Sequence, residues 1–316
     1  MTSARPLLAS VLLCVVLFAQ PGFGWDGQGH MIVAYVAYQK LNKKTRTRVG
    51  NLMKLNPDYD KWVAMLPKDT PTRYRRMMLF MIAATWADQI KSESNYSDDG
   101  SNNGNTPDGT TSSQNTGYTD LLRHKYFHFV DTPFSDDGTT LPPVPTPNAE
   151  ERIDLFRGVL AGSDPSALKS YDMVWLLHLV GDVHQPLHAT TRVSSTQTDG
   201  DNGGNAVKVC NPGCGVALHA FWDDLLGTGS DVNVAITTAK SLPAPNATDA
   251  AKTDAATWVQ ESFDLAKSKV YVSPIAAGAG PFTLTAAYKS SAKKVARKRV
   301  ALAGARLANL LNDELK

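Results

Sequence analysis

Residues 171–190 read YDMVWLLHLVGDVHQPLHAT. From Tyr171 to Val183 nearly every position is apolar, so the segment lacks a solvent face and reads as a helix buried on all sides. His178 and Asp182 interrupt it four residues apart. On an α-helix, positions i and i+4 share one face, within roughly 40° of each other. An unpartnered carboxylate there costs on the order of several kcal/mol, which demands a cation or a dense hydrogen-bond network. One stretch thus predicts a helical core with a charge problem at its centre.

The problem recurs along the chain. His219 and Asp223 repeat the spacing within VALHAFWDDLL, Asp88 sits in MIAATWADQI, and His128 sits in YFHFVD. Asp is common here, 25 residues against 5 Glu, so two His-x3-Asp pairs alone carry little weight. A single such residue is more often a satisfied core histidine or aspartate. Four polar insertions among large apolar residues make shared metal ligation the better account. Imidazole and carboxylate without clustered thiolate point to zinc, although manganese or iron accepts the same donors. His184 falls roughly 120° round the helix from the His178–Asp182 face and is not counted as a ligand. His124, between Arg123 and Lys125, is expected at the surface.

Helical periodicity also marks His30–Leu41, through Ile32, Tyr35, Val36 and Gln39, and the run from Met77 to Ile90. Val300, Ala303, Leu307 and Leu310 define a closing amphipathic helix, and Lys289 to Arg299 reads as its solvated face. Strand signal is confined to a short ribbon near Ala206 to Val209. Ser92 to Tyr118 is Ser, Asn, Gly, Asp and Thr with few apolar residues, too few to order itself; Leu141 to Pro147 is proline-rich. The expectation is a mainly α fold with long surface loops, in one domain.

The chain has 316 residues, 42% hydrophobic and 20% charged, with a formal net charge of +2. That excludes a strongly basic nucleic-acid coat protein, so any attraction for polyanions must be local. Arg5, the apolar run Leu7 to Ala19, and Gly22 and Gly24 form a secretory leader, shorter than the ~20 residues of a membrane span. Cleavage between Gly24 and Trp25 is expected, giving a secreted product of residues 25–316 without a membrane anchor. Cys14 leaves with the leader; Cys210 and Cys214, in CNPGC, are expected to form a local disulfide rather than half a zinc site. Asn95-Tyr-Ser and Asn246-Ala-Thr are glycan acceptor sequences.

Together, WDGQGH (25–30), WAD (86–88), HFVD (128–131), HLVGDVHQPLH (178–188), DNGGN (201–205), LHAFWD (218–223) and the terminal AGARLANLLN resemble the zinc-dependent class I nuclease family, which comprises fungal single-strand-specific nucleases and plant bifunctional nucleases. The resemblance implies a helical fold of the zinc phospholipase C and class I nuclease type holding three zinc ions. Asp88, His128, His178 and Asp182 would hold the first; His188, His219 and Asp223 the second. The third would take His30, a bridging Asp182, and the α-amino nitrogen and carbonyl oxygen of Trp25, a terminus that exists only after leader removal. Phe129 would stack a base, with Asp131 and Asn205 at its edge.

The implied activity is hydrolysis of single-stranded RNA and DNA, and of 3′-nucleotides, to 5′-phosphorylated products. Zinc lowers the pKa of bound water towards ~7, which supplies a nucleophile near neutral pH. Asp88 would orient that water or take its proton, and Lys91 would offset charge on the phosphoryl oxygens. The family often has Arg at this position; Lys keeps the charge and loses the bidentate fork. No obligatory protein partner is implied, and the expected state is a monomer. A zinc phospholipase C is the nearest rival. The short Trp25-x4-His30 spacing, Asp223 in place of Glu, Phe129, Asp131 and the GGN turn argue against it. Metals that only staple the fold would be closed by four protein ligands, whereas the second site has three.

Overall fold

The computed structural model describes residues 24–107 and 120–316; the leader expectation for residues 1–23, and residues 108–119 of the long polar loop, lie outside them. The architecture is mainly α, as expected. The helix Ser166–Asp182 runs through the middle, with every residue from Ser170 to Asp182 buried. Having no polar stripe, it is stable only when packed on all sides, and the helices Gly27–Lys40, Lys43–Met53, Ala149–Ala161 and Ala286–Glu314 surround it. Gln185 and Pro186 follow its end, where proline cannot continue the hydrogen-bond ladder.

Side-chain caps set several boundaries. Asp26 accepts from Gly27 N, Asn148 from the amides of Glu150 and Glu151, and Thr285 from Tyr288 N. The expected helix Met77–Ile90 is two pieces, Thr72–Ala83 and Trp86–Gln89. The break at Ala84 leaves a carbonyl outside the helix ladder, and His178 uses it.

Strands are few among the described residues. Pro133–Ser135 pairs in parallel with Thr191–Val193. Lys208–Cys210 lies between antiparallel Cys214–Ala217 and parallel Phe282–Thr283, so the ribbon expected near 206–209 is the middle strand of a small sheet. Cys210 and Cys214 are disulfide-bonded across it. One apolar core joins Trp25, Trp62, Trp86, Trp175 and Trp258 around the central helix. A second, built on Leu187, Val209, Trp222 and Tyr271, underlies the small sheet.

Three expectations need correction. His124 is fully buried rather than at the surface: Nδ1 lies 2.5 Å from Asp99 Oδ2, and Nε2 lies 3.1 Å from Asp120 Oδ2. Its neighbours Arg123 and Lys125 suggested exposure, but Asp99, 25 residues away, and Asp120, four residues before it, enclose it. Residues 92–107 of the long loop are ordered by polar contacts together with burial of Tyr96 in the main core. Asp99 accepts from His124 N and from the Tyr126 hydroxyl, and Gly100 and Ser101 bridge to Pro107 and Thr106. In the basic stretch 289–299, Arg299 points inward to Glu261 and the carbonyl of His184.

Candidate metal centre and cleft

Asp88, His128, His178 and Asp182 come from separate elements and aim at one point. His178 Nε2 lies 3.1 Å from His128 Nδ1, 3.2 Å from Asp182 Oδ2 and 3.5 Å from Asp88 Oδ1. His128 Nδ1 lies 3.0 Å from Asp182 Oδ2 and 3.8 Å from Asp88 Oδ1. Two ligands each about 2.0–2.1 Å from a tetrahedral ion stand roughly 3.4 Å apart, so this spacing is that of a ligand shell.

Tautomers sharpen the case. A carbonyl only accepts, so His178 donates Nδ1–H to Ala84 O at 2.8 Å and turns Nε2 inward, where Asp182 and Asp88 outweigh burial and push the ring up to about 10; a metal there would displace that proton and take the lone pair. Burial, reinforced by Lys91, pushes His128 down to about 3, so its ring is neutral and offers a lone pair too. Burial alone would raise the Asp182 carboxyl, but the facing imidazoles of His178 and His188 outweigh it and hold the group ionised.

The other oxygen of Asp182, Oδ1, lies 3.3 Å from His30 Nε2, and neither ring nitrogen of this fully buried histidine has a hydrogen-bond partner. His30 stacks on His178 with centroids 3.7 Å apart and lies against Gly181, where a Cβ would stand 3.0 Å from His30 Nδ1. Trp25 is fully buried beside it and donates its indole N–H to Gly181 O at 3.1 Å. A Cβ on the preceding Gly24 would collide with Asp182 Oδ1 and stand 2.9 Å from His30 Nε2. The chain entering Trp25 therefore passes over these donor atoms.

A third group stands nearby. His188 donates Nδ1–H to His128 O and His219 donates Nδ1–H to Gly203 O, each at 2.7 Å, leaving Nε2 lone pairs that face each other at 3.0 Å. Asp223 Oδ2 lies 3.4 Å from His219 Nε2, and Gln185 holds Asp223 Oδ1 at 2.7 Å. Burial, joined by His188, pushes His219 down to about 3. Sequence reasoning passed over Gln185, whose one signal was its place inside HLVGDVHQPLH. The orphaned nitrogens of His30, the opposed lone pairs and the unpartnered Asp182 Oδ1 all fit divalent metal.

Lys91 is almost buried and bonds Asp88 Oδ1 at 2.9 Å. The metal donors open into a cavity of about 370 Å³ whose lining includes His188, His219, Phe129, Asp131 and Asn205. Phe129 and Asp131 are half-buried there, and burial plus nearby Asp201 pushes Asp131 up to about 7. Asn205 is braced by its Nδ2 on Asn202 O at 2.9 Å. Asn95 and Asn246 are exposed, and Asn246 also caps a short helix through Asp249 N.

Nuclease S1 of Aspergillus oryzae is 24% identical to this chain over 234 aligned residues, which take in 69% of this chain and 60% of that protein's length. The profile of one protein family, S1/P1 Nuclease, matches residues 25–316, a range that holds every histidine and aspartate described above. The chain belongs to the S1/P1 nuclease family.

Proposed function

We propose that residues 25–316 form one secreted catalytic domain that hydrolyses single-stranded RNA and DNA, and 3′-nucleotides, leaving 5′-phosphates. The observation that carries this reading is the convergence of imidazole nitrogens and carboxylate oxygens at ligand spacing on the floor of a cleft lined by the half-buried ring of Phe129. Asp88, His128, His178 and Asp182 would hold one zinc, His188, His219 and Asp223 a second, and His30, Asp182 and the freed terminus of Trp25 a third. Bound zinc supplies Lewis acidity, lowering the pKa of water to about 7 and neutralising charge on phosphoryl oxygens.

The chain's own residues do the rest. Asp88, half-buried and paired with Lys91, is placed to orient the attacking water or accept its proton. Lys91 sets the charge of that carboxylate and adds positive potential toward the phosphate. Phe129 offers a face that a base reaches only after leaving a duplex stack, which favours single strands. Asp131 keeps a proton through the mildly acidic range and so both donates to and accepts from a base edge. The concentrated positive site, not a basic surface, draws the substrate to a nearly neutral protein. No described helix is long and apolar enough to cross a membrane. The proposal includes a monomer with glycans on Asn95 and Asn246.

Incubating the zinc-loaded protein with single-stranded RNA, single-stranded DNA, duplex DNA and phosphatidylcholine side by side tests it. The expected result is 5′-phosphorylated fragments from the single strands. Release of diacylglycerol alone would instead assign a phospholipase C.

A further inference from the structure

The wall of the cleft that faces the metal donors comes from the polar loop. Gly100 and Ser101 bridge to Pro107 and Thr106, and the tip of this hairpin carries Asn102 (φ 52°), Asn103 (φ 55°) and Gly104 (φ 83°) in succession in the left-handed region. Asparagine tolerates that conformation better than other residues with a Cβ. The turn is held from behind. Asn105 bonds Asn102 O through N at 3.1 Å and Nδ2 at 3.0 Å, and Lys125 Nζ donates to Asn103 O at 2.7 Å. Gly104 must lack a side chain, because a Cβ would stand 2.9 Å from Asp98 Oδ1.

These contacts settle which groups the wall offers. Lys125 is the cation of this wall, and its ammonium is already spent on Asp98 at 2.9 Å and on Asn103 O. Asn102 and Asn103 are exposed at the cavity, and no hydrogen bond among the described residues uses their carboxamides. The wall therefore presents neutral planar donors and acceptors, the chemistry of a base edge and not of a phosphate cradle. A nucleobase displaces roughly 150 Å³, taking about five waters of 30 Å³ each. One base on Phe129 thus leaves much of the 370 Å³ cavity open.

We propose that Asn102 and Asn103 form a second base subsite, which holds the edge of the nucleotide adjoining the one stacked on Phe129. This rests on the nuclease reading above. It makes the polar loop a specificity element whose left-handed backbone turns two amides toward the substrate.

The double variant N102G/N103G tests it, since glycine accepts positive φ and only the carboxamides are lost. Binding is titrated with a nucleoside 5′-monophosphate and with a non-hydrolysable methylphosphonate dinucleotide. The dinucleotide should bind about 10-fold more weakly to the variant, the loss of one or two hydrogen bonds, with the mononucleotide unchanged within about twofold. Asn102→Asp keeps the turn but only accepts, so it should shift preference at the second position toward bases with an exocyclic amine. Equal dinucleotide affinity in wild type and both variants, or parallel loss for both probes, overturns the subsite. The nuclease reading fails separately, if wild-type protein cleaves bis(p-nitrophenyl) phosphate but no nucleic acid.

Discussion

The Nε2 atoms of His188 and His219 stand 3.0 Å apart although each ring has given its Nδ1 proton to a carbonyl. With both Nδ1 atoms donating, the two Nε2 atoms can share a proton or, together with the adjacent Asp223 oxygen, hold a metal ion. The same close spacing reaches the rest of the centre, where His178 Nε2 stands 3.1 Å from His128 Nδ1 and 3.2 Å from Asp182 Oδ2.

Asp182 divides its oxygens, Oδ2 toward His128 and His178, Oδ1 toward His30. Asp182→Ala should therefore lose two equivalents of zinc, and Asp223→Ala one, by elemental analysis of purified protein. Loss of a single equivalent in both would remove the bridging role. Chelation should also lower the melting temperature, since ligand binding to the native state is folding free energy.

At Gly24 the donor atoms of His30 and Asp182 leave no room even for a Cβ. Protein beginning at Trp25 should bind one more zinc than protein retaining Gly24, and the longer form should lose at least 100-fold in kcat on single-stranded DNA (~2.7 kcal/mol). Intact mass with metal content reads the first effect, initial rates the second.

Phe129→Ala should reduce kcat/KM on single-stranded DNA by about 10- to 100-fold, given roughly 1–3 kcal/mol per base–aromatic stack. Hydrolysis of bis(p-nitrophenyl) phosphate, which has no base to stack, should change far less. Equal losses would reassign Phe129 to packing.

Asp172 is fully buried in the central helix with both carboxyl oxygens unpartnered, and burial pushes it up to about 9. The folded state then holds a proton that the unfolded state has lost above about pH 4, so this residue's contribution makes stability fall as pH rises toward 9. The slope is at most about 1.4 kcal/mol per pH unit, and Asp172→Asn should abolish it in denaturant melts from pH 5 to 8.

His124 between Asp99 and Asp120 shows the same sign from a different cause. Burial would lower its pKa, but the two carboxylates outweigh burial and raise it. The clamp is complete below the unfolded value near 6.5 and is lost as pH rises through the folded value. Hydrogen-exchange protection factors across residues 97–107, which remove the intrinsic pH dependence of exchange, should be lower at pH 9 than at pH 6. His124→Ala should remove that difference and cost about 3–5 kcal/mol, the penalty of stranding a buried charge.

Much of the helical architecture was legible because an all-apolar run such as Tyr171–Val183 has one stable fate, burial on every side. The grouping of His178 with Asp182, and of His219 with Asp223, followed from the i, i+4 geometry of single helices. His124 and Asp99 were misjudged for the converse reason. They are 25 residues apart, and nothing local says that one encloses the other. The break at Ala84 was equally hidden, since its carbonyl matters only because His178 lies across from it 94 residues later.

Family, fold class and the residue types able to hold metal therefore belonged to the sequence, where periodicity and composition act over a few turns of chain. Which oxygen of Asp182 faces which histidine, which nitrogen keeps its lone pair, and what wall closes the cleft were decided only by the tertiary structure. Those are questions of distance and direction between segments far apart in the chain. Packing is what answers them.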